Sequence, residues 1–181
     1  MTDLANYHKT ETLKNGTAVV VRTIRSGDKE RISEAFRNLE TESIYTRFFH
    51  HKKTLTDQEL KVATEIDFET VVALVVTIGE GENETIIGGG RYMVLDDADV
   101  QRSAEVAFTV EEDYHGQGMA SILLRHLAAI AHKKGVPRFE AEVLSENIGM
   151  LAVFSRSGFP SKEEVQGGTV HVTLALTGEG N

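Results

Sequence analysis

Hydrophobic positions along the chain follow two different spacings, and together these predict a mixed α/β protein. Runs rich in Val, Ile and Thr predict β-strands, because branched side chains suit an extended and partly buried backbone. Such runs occupy residues 17–25, 71–78, 85–95, 104–110, 139–144 and 168–176. The polar segment 79–84 predicts a hairpin between two of these strands, with residues 104–110 as the next antiparallel neighbour.

Between these runs, hydrophobic residues recur at the spacing of helices. The first helix is predicted after a start signal at Ser26–Asp28. Its hydrophobic stripe consists of Ile32, Ala35, Phe36 and Leu39. Short helices are also predicted around residues 42–49 and 56–64, and another at residues 147–157.

The strongest helical pattern starts at Met119. Its stripe consists of Met119, Ile122, Leu123, Leu127 and Ile130. Lys133, Lys134 and Gly135 follow the stripe, and basic residues followed by glycine are typical of a helix carboxy terminus. A long helix is therefore predicted to begin at Met119, directly after the two glycines of the sequence HGQGMA.

The domain organisation follows from length and patterning. The 181 residues suit one domain, which at this size buries about 70% of its unfolded surface. Residues 1–16 are polar and without a pattern, so we expect a flexible amino-terminal segment 1–16 and a single domain at residues 17–181. No apolar run of about 18 residues and no signal region are present, so the cytoplasm is the expected location.

Charge and composition exclude some functions. The formal net charge of −9 argues against general binding to nucleic acids or anionic membranes and favours cationic substrates, such as polyamines or lysine-rich proteins. The chain has no cysteine, so it has no disulfide, no thiolate metal ligand and no acyl-cysteine intermediate. His50 and His51 lack partners at metal-ligand spacing and are interpreted as surface residues, so no metal is expected.

The segment HGQGMA, residues 115–120, joins a predicted strand to the long helix. A helix amino terminus has unpaired N–H groups and partial positive charge, which favour a pyrophosphate. Gly116 and Gly118 would let the backbone approach such a ligand closely. The segment fits neither the P-loop nor the dinucleotide-binding pattern. Gly88, Gly89 and Gly90 precede no helix and are interpreted as a bend or bulge entering a strand.

These residues resemble the Gcn5-related N-acetyltransferase (GNAT) family. The family's pantetheine and pyrophosphate loop, Gln/Arg-x-x-Gly-x-Gly/Ala, falls on residues 115–120, and its Asn-x-x-Ala and Tyr-x-x-x-Gly-Phe motif falls on residues 147–159. The alanine of the Asn-x-x-Ala motif falls on Met150. His115 replaces Gln or Arg, and Phe154 replaces a tyrosine that in many members protonates the departing thiolate. The resemblance covers about residues 17–176 and implies a mostly antiparallel, splayed sheet of six to seven strands flanked by helices.

A narrower resemblance connects SIYTRFFHHKKTLTDQEL, EVAFTV and VLSENIGMLAVFSRSGF with bacterial protein lysine acetyltransferases. It implies direct transfer from acetyl-CoA to a protein lysine, without a metal, and a homodimer is one possible assembly. Fused cyclic-nucleotide-binding or synthetase-like domains occur in that group, and neither fits in this chain. Two alternatives remain open: a small-amine acetyltransferase acting on a polyamine or an aminoglycoside-like base, and a non-catalytic CoA-sensing module.

The resemblance also implies roles for individual residues. Glu105 matches the general base of the narrower group, and the alternative for it is an edge-strand carboxylate facing water. Glu140 and Glu142 on the next predicted strand are weaker candidates. The expected cofactor-binding residues are Phe108, Thr109, Val110, His115, Gly116, Gln117, Gly118, Met119, Ala120, Ser121, Asn147 and Phe154.

For some of these residues a second interpretation stands beside the first. The backbone N–H groups of Phe108 and Val110 would polarise the thioester carbonyl if their strand bulges. Asn147 either contacts the pantetheine arm or caps its own helix. Tyr114 is a possible substitute proton donor, although an exposed turn residue is the preferred description. Residues 47–49 are expected to close the acceptor side of the core.

Overall fold

The structure is a computed structural model that describes residues 3–37, 55–95, 102–110 and 114–176. These residues contain four α-helices and one sheet of eight strands. The strands are β1 (His8–Thr12), β2 (Ala18–Thr23), β3 (Val71–Ile78), β4 (Thr85–Leu95), β5 (Ser103–Val110), β6 (Arg138–Leu144), β7 (Ser161–Gln166) and β8 (Thr169–Ala175). The helices are α1 (Lys29–Arg37), α2 (Asp57–Thr64), α3 (Met119–Lys133) and α4 (Ile148–Ser155).

The strands lie side by side in the order β1-β2-β3-β4-β5-β6-β8-β7. Neighbours are antiparallel except β5 and β6, which are parallel. The mixed α/β class and the mostly antiparallel sheet are therefore confirmed. The expected number of six to seven strands is too low for the described residues, because β1 and β7 were not predicted.

Both unpredicted strands lie at the edges of the sheet. β1 is nearly all exposed and β7 is exposed at every position, so neither strand shows the alternation of hydrophobic and polar residues that predicts a half-buried strand. The segment 1–16, expected to be flexible, contains the strand β1, which pairs with β2 from His8↔Arg22 to Thr12↔Ala18.

Helices cover both faces of the sheet. On one face α3 packs on the strands in the main core, with Leu123 and Leu127 fully buried. On the other face α1 packs over a smaller cluster that includes Val75 and Ile86. The long helix predicted after HGQGMA is confirmed, and the last predicted helix, residues 147–157, is shorter at both ends.

The region before β3 contains α2, as predicted. Its amino terminus has a reciprocal cap, in which Thr56 Oγ1 accepts the N–H of Glu59 at 3.2 Å and Glu59 Oε1 accepts the N–H of Thr56 at 3.1 Å. The predicted helix at residues 42–49, the residues 47–49 and both His50 and His51 lie outside the described residues.

The glycine run lies inside β4, next to a bulge. The register places Val76 opposite Gly88 and Thr77 opposite Ile86, so one extra residue is inserted beside the run. A Cβ on Gly90 would lie 2.8 Å from the ring of Phe108, and one on Gly88 would collide with the sulfur of Met119. The small residues of β4 thus let two predicted cofactor-binding residues pack closely against the sheet.

Candidate active site

The site begins where β5 and β6 separate. The two strands pair only at Ala104↔Phe139 and Glu105↔Glu140. Beyond Glu105 the strands diverge, so the expected splay of the sheet is confirmed. A cleft of about 730 Å³ opens between them and extends to the amino termini of α3 and α4.

Nearly all predicted site residues line this cleft. They are Glu105, Phe108, Thr109, Val110, His115, Gly116, Gly118, Met119, Ala120, Ser121, Asn147 and Phe154. Gln117 faces elsewhere: its side-chain oxygen accepts the N–H of Asn15 at 3.0 Å, and its backbone oxygen accepts the N–H of Lys14 at 3.1 Å. Gln117 therefore holds the turn between β1 and β2 instead of facing the cleft.

Backbone groups of β5 face into the cleft. A Cβ on Gly88 of β4 would lie 3.2 Å from the carbonyl oxygen of Thr109, so the backbone groups of Thr109 point toward β4. Successive residues of a strand direct these groups to opposite sides. The backbone N–H and C=O groups of Phe108 and Val110 consequently point toward the cleft. His115 Nε2 lies 2.8 Å from the carbonyl oxygen of Val110.

The glycine turn has the geometry of an anion site. Gly116 and Gly118 have φ of +78° and +86°, a conformation that strains any residue with a Cβ. Gly118 directly precedes α3 and provides no side-chain cap for the helix. The free N–H groups of the first turn and the positive end of the helix dipole therefore suit a phosphate group, which fits coenzyme A.

Asn147 caps α4. Its Oδ1 accepts the N–H of Met150 at 3.2 Å, so the capping interpretation of this residue is confirmed. The residue also lines the cleft, and its side-chain NH2 group is not needed for the cap.

The aromatic side chains of Phe108, Tyr114 and Phe154 line the cleft. Phe154 on α4 is 1% exposed, and its ring centroid lies 6.1 Å from that of Phe108. Tyr114 lines the cleft, is half-buried and packs against the main core, so its description as an exposed turn residue is wrong.

Glu105 is exposed and lies at the point where β5 and β6 diverge. Its neighbours Ala104 and Val106 face the main core, so Glu105 points to the opposite face of the sheet. Within the described residues its carboxylate makes no hydrogen bond or ion pair. It is therefore free to accept a proton.

Glu140 and Glu142 on β6 are instead bound to His171 of β8. His171 Nε2 lies 3.2 Å from Glu140, and its Nδ1 is in contact with Glu142. The hydrogen bond that Ser103 donates at 2.7 Å, followed by that from His171, lowers the pKa of Glu140. The carboxylate of Glu142 raises the pKa of His171. These engaged carboxylates are poorer base candidates than Glu105.

The cleft also contains residues that the sequence analysis missed. Lys14 and Arg156 supply basic groups, and Glu146 supplies an acidic one. Lys14 comes from the turn between β1 and β2, within the segment expected to be flexible. No local sequence signal marks this lysine, because its position depends on contacts with residues about one hundred positions away.

A second, apolar hollow of about 380 Å³ lies on the face of the sheet covered by α1 and α2. It shares Ala107 and Thr109 with the cleft, so the two spaces meet at β5. In the described ranges no group of three or more His, Asp or Glu side chains is arranged so that it could hold a metal ion. No helix in those ranges is long and apolar enough to cross a membrane.

This geometry agrees with comparison to known proteins. Residues 34–159 match the family described as "Acetyltransferase (GNAT) family". The chain belongs to the GNAT acetyltransferases. Its family relation makes it an acyl-CoA-dependent acetyltransferase, and acetyl-CoA is the cosubstrate that GNAT enzymes use.

Three relatives of this GNAT acetyltransferase are similar over most of its length. The GNAT domain of S. lividans PAT is 33% identical with a TM-score of 0.83, over 93% of this chain and 96% of that domain. Acetyltransferase Pat of Mycolicibacterium smegmatis is 32% identical over 146 residues, 81% of this chain and 42% of Pat. An acetyltransferase of Pseudomonas aeruginosa is 26% identical over 87% of this chain and 83% of the relative. The chain thus spans less than half the length of Pat.

Proposed function

We propose that this GNAT acetyltransferase acetylates protein lysines, with Glu105 as general base. The observation that carries the proposal is the position of Glu105, the last β5 residue paired with β6, with a carboxylate that has no partner among the described residues. Similarity to the proteins named Pat supports lysine as the acceptor.

In this proposal Glu105 accepts a proton from the lysine ammonium, directly or through a water. The neutral amine can then form a bond to the acetyl carbon while the carbon–sulfur bond breaks, and the second nitrogen proton passes to the thiolate or to water, which leaves a neutral amide. Bound acetyl-CoA supplies the activated acetyl group. The backbone N–H groups of Phe108 and Val110 face the cleft and are suited to stabilise the negative charge that develops on the carbonyl oxygen.

Phe154 has no proton to give to the thiolate. A thiol has a pKa of about 8.5, so the thiolate can depart without a side-chain acid near neutral pH or take its proton from water. We assign Phe154 a packing role at the inner end of the cleft, where it contacts Phe108.

The remaining cofactor-binding roles are assigned by position. The turn at Gly116 and Gly118, with the first residues of α3, binds the pyrophosphate. Asn147 contacts the pantetheine arm through the NH2 group that its cap leaves free. We assign Gln117 an indirect role, because its side chain holds the neighbouring turn.

The acceptor approaches from the face of the sheet that carries Glu105. The same face carries Glu140 and Glu142, and the whole chain has a formal charge of −9. A cationic lysine in a basic protein segment is therefore attracted to this surface. We propose a cytoplasmic enzyme, because acetyl-CoA and protein lysines are both available there.

The test is transfer of radiolabel from acetyl-CoA into a cell lysate treated with deacetylase inhibitors. We expect wild type to label discrete proteins and Glu105→Gln to label them at least about 100-fold more slowly, the usual contribution of a general base. Glu163→Gln, on the exposed strand β7, is the matched control and should behave like wild type.

Each alternative gives a different result. Label found only in small molecules would replace the protein acceptor with a small amine. Tight acetyl-CoA binding without any transfer would indicate a cofactor-sensing module. Full turnover by Glu105→Gln at every pH tested would disprove the base assignment and leave the family unaffected.

A further inference from the structure

We propose that Lys14, in the turn between β1 and β2, binds the pyrophosphate of coenzyme A together with the glycine turn before α3. This inference rests on the proposed function, because it adds a binding residue for the same cofactor. It concerns a part of the chain outside residues 34–159 that match the family.

The side chain of Lys14 runs along the glycine turn. Its Cγ, Cδ and Cε atoms lie 3.4–3.9 Å from the position that a Cβ on Gly118 would occupy. Lys14 is exposed and lines the cleft. Its hydrocarbon stem therefore covers Gly118, and its ammonium group can reach an anion bound at the amino terminus of α3.

The backbone of Lys14 is fixed to the same turn. Its N–H donates to the backbone oxygen of Gln117 at 3.1 Å, and the N–H of Asn15 donates to Gln117 Oε1 at 3.0 Å. Leu13, which precedes it, is 3% exposed, and its N–H donates to the oxygen of Thr17 at 2.9 Å. These hydrogen bonds hold the backbone of Lys14 next to Gly118.

Tyr7 and Glu11, before and within β1, attach the β1–β2 hairpin to α3 by a second set of contacts. Tyr7 Oη lies 2.5 Å from His126 Nδ1, and His126 Nε2 lies 2.7 Å from Glu11 Oε1. Arg125 donates to the same Glu11 oxygen at 2.7 Å. The β1–β2 hairpin is thus attached to the helix whose amino terminus forms the anion site. These contacts hold the turn that carries Lys14 beside the cleft.

The charge of Lys14 is available for a ligand. Its ammonium has no ion pair with any described carboxylate, unlike Lys29, which lies 3.0 Å from Glu65. The other basic residues at the cleft are His115 and Arg156, and the His115 ring already contacts a backbone oxygen. Because the chain as a whole is acidic, binding a polyanion here needs local positive charge.

The experiment measures binding by isothermal titration calorimetry, with CoA and dephospho-CoA as the probes. Wild type is compared with Lys14→Met, which keeps the stem and removes the charge, and with Lys14→Arg, which keeps the charge. Lys162→Met on β7 is the control, because it removes a lysine that does not line the cleft. Each titration is run at about 50 mM and about 500 mM salt, where screening differs strongly.

We expect Lys14→Met to raise the Kd of both probes about tenfold at low salt, a change of about 1.4 kcal/mol. The difference from wild type should shrink at high salt, and Lys14→Arg should recover most of the affinity. Lys162→Met should bind like wild type. Thermal unfolding should be unchanged in Lys14→Met, because the ammonium is exposed.

Other results would overturn the assignment. A loss for CoA that is absent for dephospho-CoA would place the ammonium at the 3′-phosphate instead of the pyrophosphate. A loss that does not change with salt and that Lys14→Arg does not recover would mean that the charge of Lys14 is not what binds the cofactor. Unchanged binding by Lys14→Met would remove Lys14 from the site, whereas failure of wild type to bind CoA would disprove the proposed function itself.

Discussion

Asp28 is a buried carboxylate that joins the start of α1 to β2. It is 1% exposed and accepts hydrogen bonds from Arg22 at 2.8 and 2.9 Å and from the N–H of Arg25 at 2.8 Å. Burial by itself would raise the pKa of Asp28, but these hydrogen bonds and the Arg22 charge outweigh it and lower the pKa. Asp28 therefore stays ionised and keeps the buried guanidinium of Arg22 neutralised.

Asp28→Asn should strongly destabilise the protein. The substitution leaves the guanidinium of Arg22, itself 2% exposed, with Glu84 as its remaining carboxylate contact in the described residues. Removing one partner of a buried ion pair costs about 3–5 kcal/mol, and the contact with Glu84 should keep the loss near the lower figure. Urea unfolding at neutral pH measures the change.

Glu34→Gln is the matched control for Asp28→Asn. Glu34 is exposed on α1, so the loss of its charge should change the free energy of unfolding by no more than about 0.5 kcal/mol. Equal stability of the two variants would show that the carboxylate of Asp28 is not needed to hold α1 on the sheet.

At the scale of elements, the site depends on a sheet that separates and a helix that starts at the separation. β5 contributes Glu105 and the cleft-facing backbone groups, and α3 contributes its uncapped amino terminus. Both elements are held by packing: Leu127 of α3 is fully buried, and Phe108 of β5 packs against Gly90 of β4. The rigid core thus fixes the geometry of the cleft.

Gly118→Ala should lower both stability and cofactor affinity. Gly118 has φ of +86°, where a Cβ adds about 1–2 kcal/mol of strain, and the new methyl group would lie in ordinary van der Waals contact with the Lys14 stem at 3.4 Å. We expect the Kd for CoA to rise about tenfold, because relieving the strain moves the turn away from the pyrophosphate. Calorimetric titration and thermal unfolding measure the two effects.

The other end of α3 provides the control. Gly135 has φ of +78° and has open space around it, so Gly135→Ala imposes similar strain away from the cleft. It should cost similar stability and leave the Kd for CoA unchanged. If both variants bound CoA equally well, the local geometry of Gly118 would not matter to the cofactor.

The sequence predicts those elements whose burial leaves a periodic pattern. Leu123 and Leu127 identify α3, and the apolar run Val71–Ile78 identifies β3, because each packs on a hydrophobic core. β7 is exposed along its whole length and has no such pattern. Edge strands form because a neighbour offers hydrogen bonds, which side-chain spacing does not reveal.

The residues of the candidate site also fall into two groups, those that the sequence predicts and those that it does not. The glycine turn could be predicted because the positive φ of Gly116 and Gly118 requires that residue type. The role of Lys14 could not, because its place beside Gly118 results from long-range pairing with Gln117. Asn147 could be predicted in both of its possible roles, and only the contact with Met150 distinguishes the cap.

At the scale of the whole molecule, several glutamates share the sheet face that carries Glu105. Glu140 and Glu142 surround His171, and Glu164 of β7 lies opposite His171 in the sheet register. The hydrogen bond to Glu142 is the largest cause of the raised pKa of His171, ahead of burial, which opposes it. Protonated His171 therefore offsets carboxylate repulsion across β6, β7 and β8.

The raised pKa of His171 makes the stability of the fold depend on pH. Because the pKa of His171 is higher in the folded protein than in the unfolded chain, protonated His171 stabilises the fold fully below about pH 6.5, the value of a free histidine. The stabilisation is lost as pH rises through the higher, folded pKa. The pKa of Glu140 is lowered, so its contribution is present near neutral pH and is lost in acid.

His171→Gln should therefore be less stable than wild type at about pH 6 and nearly equal to it at about pH 9. The difference at low pH should be no more than about 1 kcal/mol, because His171 is 34% exposed and its ion pairs are screened by solvent. Urea unfolding across this pH range measures it. His8→Gln is the control, because it removes an exposed histidine that has no described carboxylate contact. A constant difference between wild type and His171→Gln at every pH would mean that packing, and not the charge of His171, stabilises this part of the sheet.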